Sequence, residues 1–595
     1  MKKIVTSILL VIGVVSYAQE SLSYLKNNMV INTAKKKVNI NNSRSSILSL
    51  PLVIDFSADS FFPDTTYWQS NQVYINNDIP MFPPSIGVAT FDGLNSNGLP
   101  YDNSSSDTYG PADTLTSQAI NLSYSPSDSI YFSFFYQAGG LGNIPELEDS
   151  LLLEFYSPIT YSWNKVWENS YINTSKFDQV LIPIIDNNYL VDSFQFRFRN
   201  YATLSGNLDH WHIDYIRLST QRHIHDTIVS DIAFTQSSPS ILENYYAIPW
   251  NHFMNSSIQQ PLADSLTVYW RNNDEIWKNV DYEFEVFFEG NSIYSLPLAG
   301  DNYPDYIDTS FTRALDFSLP INTLDSALVE IKHSISTSDF DNEINNGITH
   351  LQKFYNYYSY DDETAERAYG LNVNEGKVAV KFYPLIPDTL RGARIYFNPL
   401  LNTDVVKTFK LGVWDATGLG GSPGNLMYKM DSLLYVDYYG GETPFAIFLF
   451  DTTLYINNTF YIGVEQTLDS ELHIGYDLNN NNSENLYYNV NGFWEQSIYE
   501  GSLMLNPLFG SEIDLLNQKE IEVEVKLYPN PSTGMIKIEG LDKPFTYMVV
   551  NSIGKKVEWG LSINKIDLSM IPDGMYFVLI NSSEKTFIKK VILLR

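Results

Sequence analysis

The 595-residue chain is predicted to be all-β, a string of multidomain antiparallel β-sandwiches, on three observations. Apolar and polar residues alternate with a period of two. Phe194-Gln-Phe-Arg-Phe-Arg199 sets three phenylalanines on one face and Gln195, Arg197 and Arg199 on the other, and Tyr282-Glu-Phe-Glu-Val286 repeats the pattern, as a sheet with one wet face requires. Such runs recur every ~8–15 residues with Gly, Pro, Asn and Asp between them, the punctuation of hairpins. No segment sustains the 3.6-residue period of an amphipathic helix.

Composition narrows the classes further. Apolar residues make up 44% of the chain, enough for packed cores, and the length suggests roughly three to five domains. With 37 basic against 69 acidic side chains, the net charge is −32, which repels phosphate backbones and speaks against a nucleic-acid partner. The absence of cysteine excludes disulfides, thiolate metal sites and a cysteine nucleophile.

Residues 1–18 read as a signal peptide addressed to the Sec export machinery. Lys2 and Lys3 precede the apolar run Ile4 to Val15, and Ser16-Tyr17-Ala18 presents small residues for a cut between Ala18 and Gln19. That run is too short to cross a membrane, which needs ~20 residues, and no transmembrane segment is expected elsewhere. Residues 19–50, with Lys35-Lys-Lys37, read as a polar leader or linker. A first domain is expected over 51–220, with the strands Ser129–Tyr136 and Trp211–Leu218 among its landmarks. A spacer follows over 221–355, built on Asp264–Trp270, Tyr282–Phe288 and Ala327–Ile331. A third domain over 356–510 opens with Tyr360-Asp-Asp-Glu-Thr-Ala-Glu-Arg-Ala-Tyr-Gly370. Residues 511–525 are an acidic linker, and 526–595 form a last small sandwich. That tail carries net +4, whereas the remainder without tail and signal peptide carries −38, so it is a module with a separate task.

The tail contains Tyr528-Pro529-Asn530-Pro531-Ser-Thr-Gly534, then Ile571-Pro-Asp-Gly574-Met-Tyr576, then the closing strand Lys589-Lys-Val-Ile-Leu-Leu-Arg595. These three ordered motifs resemble the type A C-terminal sorting domain of the type IX secretion system of Bacteroidota. The resemblance implies passage through that machinery, removal of the tail, and release or attachment at the outer surface. The order of strands over 51–220 resembles MAM and concanavalin-like jelly rolls. The spacer resembles Ig-like or fibronectin-like domains, and the third domain a second jelly roll. Its opening resembles a Y-D-D-G-T-A-E-x-A-Y-G element of other sorting-domain cargo, with Glu363 where glycine is common.

No catalytic residue set emerges. Gly420-Gly-Ser422-Pro-Gly424 matches the nucleophile elbow by letter, but Pro423 lacks the N–H that would face an oxyanion. The His210/His212 and His223/His225 pairs can each present two imidazoles on one strand face, though edge histidines do the same. Calcium takes loop carboxylates, and in the resembling jelly rolls a structural ion joins first strand to last, so Asp55, Asp92, Asp209 and Asp214 are the calcium candidates. Trp163 and Trp167, with Tyr161, are the candidates for stacking on sugar rings.

The expectation is a secreted or surface-held, non-catalytic, adhesin-like protein facing glycans. The alternatives are a secreted hydrolase or its carbohydrate-binding accessory, and a structural protein of surface coat or biofilm matrix.

Overall fold

The computed structural model describes residues 20–31, 34, 47–57, 61–70, 72–169, 176–256, 261–304, 308–322, 325–399, 407–438, 444–468, 471–510, 526–539, 545–551, 556–562, 565–581 and 586–594. The signal-peptide cut at Ala18 and Gln19 and the linker 511–525 lie outside them. The chain forms two compact units, one made of Met1–Asn28 and Ser45–Gly510, the other of Met29–Arg44 and Ser511–Arg595. Among the described residues, no helix is long and apolar enough to cross a membrane.

The described residues are nearly all β, the short helix Trp250–Asn255 being an exception. In the first sandwich, a four-stranded sheet orders Tyr109–Thr116, Gln195–Thr203, Ser150–Ser157 and Ser162–Asn169. It faces a six-stranded sheet centred on Trp211–Ser219, which pairs with Tyr131–Ala138, Val88–Phe91 and Leu52–Ile54. The alternation read from Phe194–Arg199 is realised, with Phe196 and Phe198 buried and Gln195, Arg197 and Arg199 half-buried. Phe132 and Phe134 of the opposite sheet meet those rings, Phe132–Phe196 at 4.6 Å and Phe134–Phe198 at 4.8 Å. Each such ring, removed from water, contributes roughly 1.5–3 kcal/mol.

The spacer has a three-stranded sheet (Ile232–Phe234, Ser265–Asn272, Asp308–Ala314) and a four-stranded sheet (Asn291–Tyr303, Lys278–Phe288, Ala327–Thr337, Gly347–Phe354). Its core continues without a break into the third sandwich. Tyr245 lies 4.9 Å from Tyr358, and Tyr358 lies 5.6 Å from Phe509, across the boundary expected at 355.

The residues read as leader are in part a strand. Glu20–Ser23 pairs antiparallel with Arg367–Leu371 and forms the edge of a four-stranded sheet with Ile474–Asp477 and Ser502–Leu503. Its polar side chains, the reason it reads as a leader, are satisfied by distant partners. Glu20 is 3% exposed and accepts from Tyr369 Oη at 2.7 Å, Ser497 Oγ at 2.9 Å and Ile498 N at 3.0 Å. Ser21 Oγ donates to Glu471 at 2.9 Å.

Residues 526–594 pack two sheets around a core of their own that includes Ile536, Val549, Ile566, Val578 and Val591. The P-N-P-S-T-G segment is clamped to the final strand Thr586–Leu593. Asn530 Nδ2 donates to Lys590 O at 2.8 Å, and its Oδ1 accepts from Ile592 N at 2.9 Å. Gly534 has φ +140°, and a Cβ there would stand 2.7 Å from Ser569 Cα. Tyr576 Oη donates to Pro572 O at 2.8 Å.

Candidate functional site

The aromatic group expected at Tyr161, Trp163 and Trp167 is split between two faces. Leu153 pairs with Trp167 but Glu154 pairs with Lys165, so Val166 is an extra residue. The bulge reverses the alternation, which otherwise sets positions four apart on one face. Trp167 therefore points inward, against Phe134 at 5.1 Å and Tyr136 at 5.0 Å. Trp163 stays on the outer face beside Tyr156, with the Arg197 guanidinium 4.3 Å above its ring. Arg197 is itself held by Glu154, Nε to Oε2 at 2.5 Å. Tyr161 is 81% exposed in the turn.

Of the four calcium candidates, Asp55 and Asp214 are neighbours where Leu52–Ile54 pairs with Trp211–Ser219, while Asp92 and Asp209 each lie with other carboxylates. Asp55 accepts from Ser57 Oγ at 2.8 Å, Asn342 Nδ2 at 2.7 Å and Asn345 Nδ2 at 2.9 Å, fixing the first sandwich to the Asp339–Asn346 turn of the spacer. Asp214 accepts from Ser85 and from Tyr215 N. Burial first, then the charge of Asp55, push the Asp214 carboxyl well above the usual range. Asp92 lies against Asp113, and burial first, then that neighbour, push its carboxyl well above the usual range. Asp209 instead lies with Glu146 and Asp149. Chain position suggested one common site; instead Asp55 and Asp214 form one pair, and Asp92 and Asp209 join two other carboxylate groups.

Of the histidines, His210 and His212 are buried. His210 Nδ1 accepts from Asn143 N at 3.0 Å, and His212 contacts Thr90 Oγ1 at 2.9 Å and Gly139 O at 3.2 Å. Both ring nitrogens of His212 are engaged, whereas His210 Nε2 is buried without a hydrogen-bond partner. Gly420–Gly424 is a hairpin turn in which Gly418 N donates to Ser422 O at 3.1 Å.

The opening of the third domain is a clip. Glu363 takes φ +74°, a left-handed conformation that glycine adopts freely, at the position where the resembling element carries glycine. Burial pushes its carboxyl up, but Arg394 and Lys353 outweigh this and bring it down to about 2; their nitrogens lie 2.9 and 2.7 Å away. Arg394 also sits 3.3 Å over the Tyr357 ring.

Around this clip the acids are crowded. Burial pushes Asp78 up to about 6, and burial with the charge of Asp78 pushes Asp362 up to about 7. Glu366 and Asp477 are raised by burial, then by Asp362. A raised carboxyl stabilises the fold below its unfolded value and loses that contribution as pH rises through its folded value. Five buried histidines act in the opposite direction: burial lowers His210 well below its usual value, His212 and His350 to about 4, and His333 and His473 to about 3, so they destabilise the fold once pH falls below ~6.5. In EDTA, the melting temperature is expected to rise as pH falls from 8 to 6, and to rise less steeply below ~6.5, where the histidines oppose the acids. A flat profile from pH 8 to 6 would contradict the buried acids.

A cleft of about 940 Å³ lies between the first sandwich and the spacer. One wall comes from residues 56–57, 75–77 and 86–87, the other from the hairpin of Ala327–Thr337 with Gly347–Phe354. Ser237, Ser334, Ser336 and Thr349 are exposed in its lining, which also includes Phe61 and Ile344. Its acidic members are Asp341 and Glu343, and no Lys, Arg or His is among its described lining residues. Asp341 is committed to Ile232 N at 2.8 Å and Asn346 Nδ2 at 2.6 Å. Sequence reasoning missed this site because its two walls come from separate domains, far apart in the chain; the Asp339–Asn346 turn was its one visible signal.

Residues 526–594 match the secretion system C-terminal sorting domain. No curated protein matches the chain. Among solved structures, it is similar to a GH2 β-galacturonidase from Eisenbergiella tayi bound to galacturonate, at 12% identity over 54% of this chain and 46% of that one, with a TM-score of 0.21. A calcium-binding mutant of Bacteroides uniformis β-glucuronidase 2 matches at 10% identity over 53% and 32%, TM-score 0.20. The Endo-D glycoside hydrolase domain of Streptococcus pneumoniae matches at 8% over 52% and 43%, TM-score 0.19. The chain spans less than half of each of these three, and scores this low carry nothing over to its activity. The sorting domain gives its destination: export by type IX secretion, to be released or held at the cell surface.

Proposed function

We propose that this exported chain is a non-catalytic, adhesin-like binding protein that takes an uncharged surface glycan into the cleft between its first two sandwiches. The cleft carries this reading. Its volume of about 940 Å³ suits several sugar rings, and its lining offers exposed serine and threonine hydroxyls together with the apolar side chains of Phe61 and Ile344, groups suited to the hydroxyls and C–H faces of a sugar. Without a cation in the lining, a uronate or sulfated chain would meet Asp341 and Glu343 unpaired. The outer sheet face at Trp163 is a weaker platform because Arg197 already covers the ring.

The test is a glycan-array screen of the purified protein. Binding to neutral glycans is expected, lost when Ser336 and Thr349 are both replaced by arginine and retained in Trp163→Ala. Loss in Trp163→Ala alone would move the site to the sheet face, and a blank array with folded protein would sink the glycan reading.

A further inference from the structure

We propose that Glu146, Asp149 and Asp209 form a calcium site that staples the two sheets of the first sandwich together. Asp149 immediately precedes Ser150–Ser157 of the four-stranded sheet, and Asp209 lies two residues before Trp211–Ser219 of the six-stranded sheet. One carboxylate oxygen from each of the three residues lies within 4.8 Å of the others. Two oxygens on opposite sides of one calcium ion, each ~2.4 Å from it, have that separation.

An independent observation concerns the unused atom. Asp209 is fully buried, and its Oδ1 is enclosed with no hydrogen-bond partner. A buried carboxylate oxygen without a donor is costly. The rest of Asp209 is oriented for a ligand: Thr203 N donates to Oδ2 at 2.7 Å, and Asn143 Oδ1 holds its backbone N–H at 2.9 Å. Asp149 is 2% exposed, and its Oδ2 accepts from Glu146 N at 2.6 Å. Among the described ion pairs none reaches these three carboxylates.

The three carboxyl groups in contact thus have no counter-charge from the protein. Burial first, with Glu146 beside them, pushes Asp149 up to about 7 and Asp209 up to about 9, the state a bound cation would reverse. An all-oxygen set favours a hard cation over zinc or copper. Glu146 is exposed, which leaves room for water to complete the six to eight oxygens calcium takes. In a chain without disulfides, such an ion ties the sheets where no covalent link does.

The test titrates the EDTA-treated full chain with calcium chloride by calorimetry and follows its melting temperature. Wild type is expected to gain about 5 °C in calcium, and more than in equal magnesium. The double variant Glu146→Gln/Asp149→Asn should bind one calcium fewer and lose most of the gain. Glu146→Gln alone, at an exposed position that the fold tolerates, should weaken affinity about tenfold. Equal stoichiometry and equal shifts in wild type and both variants, or no calcium binding by wild type, would overturn the site.

Discussion

Removing residues 526–595 is expected to leave the protein inside the cell envelope, with none of it outside. The tail has its own hydrophobic core and its own charge sign, net +4 against an acidic body, so its loss should spare the sandwiches and abolish delivery. Immunoblots of culture medium, surface and periplasm, with thermal melts of the shortened chain, separate these effects. A folded chain still present outside would mean the tail is dispensable for export. Point variants should act in the same direction. Gly534→Val places a branched side chain at φ +140° and into the backbone of Ser569, at a cost of more than about 1 kcal/mol. Asn530→Ala removes both bonds that clamp the turn to the last strand, worth about 1–3 kcal/mol together. Either should lower the exported fraction, and Gly534→Val the more.

Glu20→Ala is expected to destabilise the third sandwich by about 3 kcal/mol or more. The side chain is buried and accepts three hydrogen bonds. Truncation leaves Tyr369 Oη, Ser497 Oγ and Ile498 N without their acceptor, and the strand loses its anchor. Glu20→Gln, which keeps an acceptor oxygen, should recover part of the loss. Urea unfolding followed by tryptophan fluorescence tests this. The same midpoint for Glu20→Ala and wild type would show that the strand contributes nothing.

What the sequence revealed, and what it hid, follows from how local each interaction is. The period-two runs at Phe194–Arg199 and Tyr282–Val286 were legible because burial of alternate residues is a property of neighbours in the chain. The sorting motifs were legible for the same reason: Gly534 and Asn530 serve turns and clamps within one small module. Glu363 stood out in its motif, and its left-handed backbone explains why glycine suits that position. The errors arose where partners are remote. Glu20 reads as polar leader because the groups that donate to it, on Tyr369, Ser497 and Ile498, are far along the chain. Trp163 and Trp167 read as one cluster because a single extra residue, Val166, is invisible without the opposite strand. The cleft required two domains to be seen side by side. Of the four aspartates, Asp209 joins the three-carboxylate group, and its companions Glu146 and Asp149 come from a loop well upstream in the first domain.

The strand Glu20–Ser23 also has a bearing on time. It is made long before its pairing partner Arg367–Leu371, and Ser497 follows later still. Until then its edge of the sheet has nothing to close it. Contacts so far apart in sequence form slowly, because the intervening loop must be ordered before they are rewarded. The third sandwich therefore reaches its final form only after nearly the whole body has been synthesised.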